Sequence, residues 1–161
     1  MKRREITAGV DLLGAIHWDR RSFDELIPLP DGTSYNSYLV RGGKKTALID
    51  TVDPTKSGIL LEQIADVPRI DYMIVQHVEQ DHSGTVPVVL ARHPEARVIA
   101  TPKAKGMIVD HLGVAPDRIN PVDDGETLSL GDRTLEFIHA PWVHWPETML
   151  TYLREDRILF T

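Results

Sequence analysis

The sequence has 161 residues, 42% of them hydrophobic, and a net charge of −6. That is apolar material for one ordinary domain core, and the acidic balance argues against a nucleic-acid footprint or an anionic membrane as partner. There are no cysteines, so disulfides and thiolate chemistry are excluded from these residues, which fits a reducing, cytoplasmic setting. The basic start Met1-Lys2-Arg3-Arg4 has no apolar run behind it and does not read as a signal peptide, and no stretch is long enough to span a bilayer.

In chain order, alternation and β-branched content predict strands near 5–16, 35–41, 46–51 and 71–76. Further strands are expected near 97–101, 119–122, 126–130, 133–140, 149–154 and 157–161. Helices are expected near 54–67, 83–93 and 102–112. In the first, Ile59, Leu60, Ile64 and Val67 recur at helical spacing and Asp53-Pro54 supplies the start. Pro28-Leu29-Pro30-Asp31-Gly32 and Asp123-Asp124-Gly125 read as turns. Gly42-Gly43 and Gly131-Asp132 suit hairpin loops. No repeat, low-complexity tract or linker marks a second domain. Strands at both ends and a strand–helix alternation in the middle suit an α/β fold with helices outside packed sheets, an αββα sandwich.

The chemistry concentrates in His77-Val78-Glu79-Gln80-Asp81-His82. Two imidazoles and two carboxylates this close repel and desolvate one another unless a cation joins them. A solvated turn accounts for any two of these residues, but not well for four that follow the apolar run Asp71-Tyr72-Met73-Ile74-Val75-Gln76. Ser83 is placed to cap the next helix, with Pro87 in its first turn, so the motif sits at a strand's C-terminal end. Imidazole and carboxylate without thiolate suit iron, manganese or zinc.

His144 lies about sixty residues on, in Ala140-Pro141-Trp142-Val143-His144-Trp145-Pro146. The flanking tryptophans and prolines predict a stiff backbone and a poorly solvated ring. Alone it would read as a buried histidine bonded to a carbonyl; with the first cluster, it reads as a fifth ligand. Asp50, ending the apolar run Ala47-Leu48-Ile49, suits either a carboxylate that orients a ligating histidine or a strand-end turn cap. His17, His93, His111 and His139 have no motif partners; His93 precedes Pro94 at a helix end, and His111 sits near a helix C-terminus.

These residues resemble the N-terminal, metallo-β-lactamase-like domain of the flavodiiron proteins, whose motif is H-x-E-x-D-H followed by a histidine about sixty residues on. Here it is matched by His77, Glu79, Asp81, His82 and His144. The surrounding text also fits: Thr33-Ser34-Tyr35-Asn36-Ser37-Tyr38-Leu39-Val40, Leu48-Ile49-Asp50-Thr51 and His144-Trp145-Pro146-Glu147-Thr148-Met149. The likeness runs from about Trp18 to Thr161. Ordinary hydrolases of the superfamily carry H-x-H-x-D-H, so Glu79 discriminates. Asp24 stands where many relatives have histidine.

The resemblance implies an oxidoreductase reducing dioxygen to water, nitric oxide to nitrous oxide, or both. Its cofactors would be two iron ions and FMN. His77, Glu79 and His144 would hold one iron, and Asp81 and His82 the other. Electrons would come from rubredoxin, a related carrier or a reduced deazaflavin, in a head-to-tail homodimer. A bridging aspartate, a last histidine and the flavodoxin-like FMN domain lie beyond residue 161 in the family. Residues 1–161 are therefore expected to be the first part of the metal domain, with a second metal position poorly held and an uncovered sheet edge. Two other readings remain: a dinuclear zinc hydrolase of the same fold, acting on esters or thioesters, and a non-enzymatic half-site.

Overall fold

The computed structural model describes residues 2–23 and 25–161. Asp24, weighed above against the family resemblance, lies outside the described residues. The chain opens with strands β1 (Arg4–Thr7) and β2 (Val10–His17), a small hairpin of β3 (Ser22–Phe23) and β4 (Ile27–Pro28), then β5 (Thr33–Arg41) and β6 (Thr46–Ile49). A 3-10 turn (Pro54–Lys56) leads into α1 (Ser57–Gln63), followed by β7 (Tyr72–Ile74), α2 (Gln80–Ser83), α3 (Val86–Arg92), β8 (Arg97–Ala100) and α4 (Pro102–Leu112). A second 3-10 turn (Pro116–Arg118) precedes β9 (Ile119–Pro121), β10 (Thr127–Ser129), β11 (Thr134–His139), β12 (Met149–Leu153) and β13 (Ile158–Phe160).

Seven strands form one sheet in the order β1-β2-β5-β6-β7-β8-β9, and four form a second in the order β10-β11-β12-β13. The first sheet is antiparallel through β6 and parallel from β6 to β9. Period-two alternation sorts its side chains between two cores. Leu48, Met73, Val98 and Ala100 face helices and pack with Leu60 and Ile64 of α1, Val86 and Val89 of α3, and Ala104 and Ile108 of α4. Ala47, Ile49, Ile74 and Ile99 face the other sheet and pack on Leu135, Phe137, Met149, Leu153 and Phe160. Three of the four layers of an αββα sandwich are thus present among the described residues. The outer face of the second sheet carries Ile138 and Leu159, both exposed, and no described helix packs on it.

The two glycine-marked hairpin loops meet at one end of the sandwich. Lys44 N–H donates to Leu130 O at 2.9 Å, and Gly43 N–H to Asp132 Oδ1 at 2.6 Å. Gly42 fits because a Cβ there would lie 2.4 Å from Leu130 O. The opposite end, where β6 and β7 finish, is left to the site.

Several boundaries differ from expectation. The predicted strand 5–16 is two strands, because Gly9 at φ +76° turns the chain. The first helix starts at Asp53 as expected, its carboxylate accepting from Thr55 N–H at 2.9 Å, but its regular part is shorter. The helix expected to open at Ser83 opens at Val86, with Pro87 in its first turn; Ser83 instead closes the single-turn α2 and donates to Val78 O at 2.9 Å.

Candidate metal centre

The site forms where four segments leave the ends of strands: 50–53 after β6, 75–83 after β7, Thr101 after β8, and 140–148 between β11 and β12. After β7 the chain runs extended to Glu79, whose carbonyl accepts from His82 N–H at 3.0 Å and Ser83 N–H at 2.9 Å. That one turn places Asp81 and His82 beside His77; the His77 and His82 rings lie 4.1 Å apart. The His82 carbonyl is held in turn by Thr51, through its N–H at 2.6 Å and its hydroxyl at 2.7 Å.

Three of the predicted ligands converge closely. His77 Nε2 lies 3.4 Å from Glu79 Oε2, and His144 Nε2 lies 2.8 Å from the same oxygen. Three donors about 2.1 Å from one metal are separated by roughly 2.8–3.6 Å, so these spacings suit a shared ion. His82 Nε2 lies 3.7 Å from Asp81 Oδ2, and Asp81 belongs to neither tight three-residue cluster. Asp50, His77 and His82 form the second such cluster. Asp50 is already engaged there: its Oδ1 accepts from Gln76 N–H at 2.9 Å, and its Oδ2 lies 3.0 Å from His82 Nδ1. An ionised carboxylate only accepts, so Nδ1 of His82 carries the proton and Nε2 is left as the donor to a metal. The geometry therefore suits Asp50 to orienting His82 rather than ligating. It does so from a left-handed backbone at φ +52°, a conformation that aspartate tolerates better than most residues.

His144 differs from its expected environment. Its side chain is 56% exposed, and neighbouring Trp142 and Val143 point largely into solvent. The loop makes hydrogen bonds within itself: Trp142 N–H to Trp145 O at 3.0 Å and Trp145 N–H to Thr148 Oγ1 at 2.8 Å. Trp142 sits at φ +67°, which turns the tip outward and leaves His144 facing Glu79. Of the histidines without motif partners, His17 bonds Tyr35, His93 accepts from Ile70 N–H, and His139 bonds Val122 O.

The electrostatics suit a cation. Burial, and then the neighbouring His82, lower the pKa of His77 to about 4, so its imidazole is neutral and able to ligate at pH 7. Burial also disfavours a charged His82, but its hydrogen bond to Asp50 and the charges of Asp50, Asp81 and Glu79 outweigh that and hold its pKa above the usual value. Burial raises Asp81. His77 Nε2 and Asp81 Oδ1 are buried without a hydrogen-bond partner, the condition expected of atoms that a metal satisfies. A donor set of imidazoles and carboxylates without thiolate suits iron, manganese or zinc. Thr51, Gln76 and Glu147 were not legible as site residues, because their roles rest on contacts between distant segments.

The sequence matches the family described as "ODP family beta lactamase" over residues 33–161. It is 39% identical to a nitric oxide reductase of Moorella thermoacetica, over 96% of this chain and 39% of that protein. The fold superposes on rubredoxin oxygen:oxidoreductase from Desulfovibrio gigas with a TM-score of 0.92 at 35% identity, over 98% of this chain and 40% of that one. It superposes on the flavodiiron protein of Giardia intestinalis with a TM-score of 0.91 at 31% identity, over 99% and 39%. The chain thus spans about two-fifths of the length of the relatives it matches. It belongs to the ODP family of beta-lactamase domains, the metallo-β-lactamase-like domain of the flavodiiron proteins.

Proposed function

We propose that this chain is the metal-binding part of a flavodiiron oxidoreductase that reduces dioxygen to water, nitric oxide to nitrous oxide, or both. One observation carries the reading: Glu79 puts a carboxylate oxygen between two imidazoles, where hydrolases of this superfamily have a third imidazole. An anionic hard oxygen favours iron over zinc and accommodates a ferric state. His77, Glu79 and His144 would hold one iron, and Asp81 and His82 the second. A bound pair of irons supplies two adjacent redox centres for a diatomic substrate. This chain's residues set the conditions: burial keeps His77 neutral, Asp50 fixes the tautomer of His82, and Thr51 anchors the turn that carries it.

The second position has fewer donors among the described residues, so in this reading further ligands and the FMN lie in polypeptide outside these 161 residues. The greater length of the matched relatives supports that. Electrons would arrive from rubredoxin, named in one matched structure, or from a reduced deazaflavin, with a head-to-tail homodimer bringing flavin and metal together. The setting would be cytoplasmic; no described helix is long and apolar enough to cross a membrane.

The test is metal analysis of full-length protein from iron-replete cells, with dioxygen and nitric oxide consumption under a reductant. Iron with flavin-dependent consumption is expected. Stoichiometric zinc together with ester or thioester hydrolysis would overturn the reading.

A further inference from the structure

The segment bearing His77 and Glu79 and the loop bearing His144 are far apart in sequence, yet their donor atoms must hold a spacing set to a few tenths of an ångström. Besides the contact between His144 and Glu79 themselves, a side chain that is no candidate ligand links the two segments. Glu147, 2% exposed, accepts the N–H of Val78 on Oε1 at 2.9 Å. Val78 is the residue between His77 and Glu79, and Glu147 lies three positions after His144. The backbone of this link is itself fixed: Thr101 Oγ1 donates to Glu147 O at 3.1 Å, and Met149 N–H donates to Gln76 O at 2.9 Å. Glu147 thus stands on a braced frame, and its carboxylate sets where the peptide between the two ligands sits.

We infer that Glu147 is a positioning residue of the metal centre, holding the His77–Glu79 peptide in register with His144 through its hydrogen bond to Val78. A buried carboxylate is a costly way to accept one backbone N–H unless the position of that N–H matters. Its second oxygen, Oε2, is buried without a partner, so Glu147 is not held for a salt bridge. Reach, rather than charge, is what the contact requires. A glutamine amide matches a glutamate carboxylate in length and nearly in size, so Glu147→Gln tests the contact without changing its reach.

The inference rests on the metal reading above, and the test separates the two. Full-length protein, stripped of metal, is titrated with cobalt(II) against a competing chelator, and the visible ligand-field bands are recorded. Glu147→Gln keeps an acceptor at the same reach and should bind within about threefold of the unaltered protein. Glu147→Asp keeps the charge but is one methylene short. It should weaken binding by about 10–100-fold and alter the bands, as loss of an orienting partner does. Glu147→Ala should match Asp. Binding by Asp within threefold of the unaltered protein, or by Gln as weak as Asp, would overturn the inference. If His144→Ala and the unaltered protein titrate alike, the metal reading itself falls, and the positioning role falls with it.

Discussion

Replacing His144 by alanine separates the site from the scaffold. The side chain is more than half exposed, and among the described residues its hydrogen-bond partner is Glu79 at 2.8 Å. An exposed charge-assisted contact of this kind contributes about 1 kcal/mol or less, so metal-free His144→Ala should melt close to the parent. With metal the balance changes. An ion at a thousandfold excess over its dissociation constant stabilises the folded state by about 4 kcal/mol. Losing one of three converging donors should weaken binding about a hundredfold, which leaves roughly 1.4 kcal/mol at the same concentration. The difference of about 2.7 kcal/mol corresponds to roughly 5–10 °C in Tm for a chain of this size. The assay is paired thermal melts with and without cobalt(II), at matched protein and metal concentrations. An equal metal-induced rise in both proteins would refute the convergence of His144 on the ion. A metal-free drop above about 3 kcal/mol would show instead that His144 is a packing residue.

Three further outcomes follow from other contacts. Asp50→Asn should accept from Gln76 N–H through its oxygen and present its amide to His82, which favours the tautomer protonated on Nε2. Nitrogen NMR of the imidazole should show that switch, and affinity at the position using His82 should drop about 10–100-fold. Asp71 is pushed upward by burial, but Thr46 N–H, Lys45 and Arg69 outweigh this and hold its pKa below the usual value. Its stabilisation is therefore present above about pH 4 and lost as the pH falls through the lower folded-state value. Asp71→Asn should cost about 2 kcal/mol in urea melts at pH 7, and the gap should close on acidification; a gap constant with pH would contradict the assignment. Gly14→Ala should destabilise by roughly 3 kcal/mol or more, because φ is +129° and the new Cβ would lie 2.0 Å from Tyr35 O. A near-parental urea midpoint would show that β2 and β5 can separate there at little cost.

Those contacts also mark what could be read from the sequence. The apolar run Ala47-Leu48-Ile49 and the placing of Pro87 in the first turn of α3 are local signals, and local patterns located those elements. The five candidate ligands could be named from residue type and spacing, and the fold brings His77, Glu79 and His144 within a few ångströms of one another while Asp81 stays outside both close clusters. Helix α2 was not, since four residues are too few to show a period. The solvation of His144 was misread: two tryptophans nearby suggested burial, but Trp142 turns outward at positive φ and shields little. The bonds from His82 to Asp50 and from Val78 to Glu147 span 32 and 69 residues, and only the folded chain brings such partners together.

The centre therefore combines two kinds of specification. Its candidate donors come from a short motif and one distant histidine, but their aim comes from carboxylates that the motif does not contain. Asp50 and Glu147 are both almost fully buried, and each spends an oxygen on the backbone N–H of a residue next to a predicted ligand or close to one. Together with Glu79 and Asp81, they gather four carboxylates around three imidazoles, one of which, that of His77, burial keeps neutral. Such a concentration of acceptors is unfavourable in a protein interior unless protons or a cation offset it. Protons would have to be held against neutral pH, whereas a divalent or trivalent ion offsets the charge and satisfies His77 Nε2 and Asp81 Oδ1 at once. Any substitution that relaxes this acidity, Glu79→Gln above all, should make the metal-free fold more stable while lowering its affinity for the ion, opposite signs that a purely structural role for the cluster would not produce.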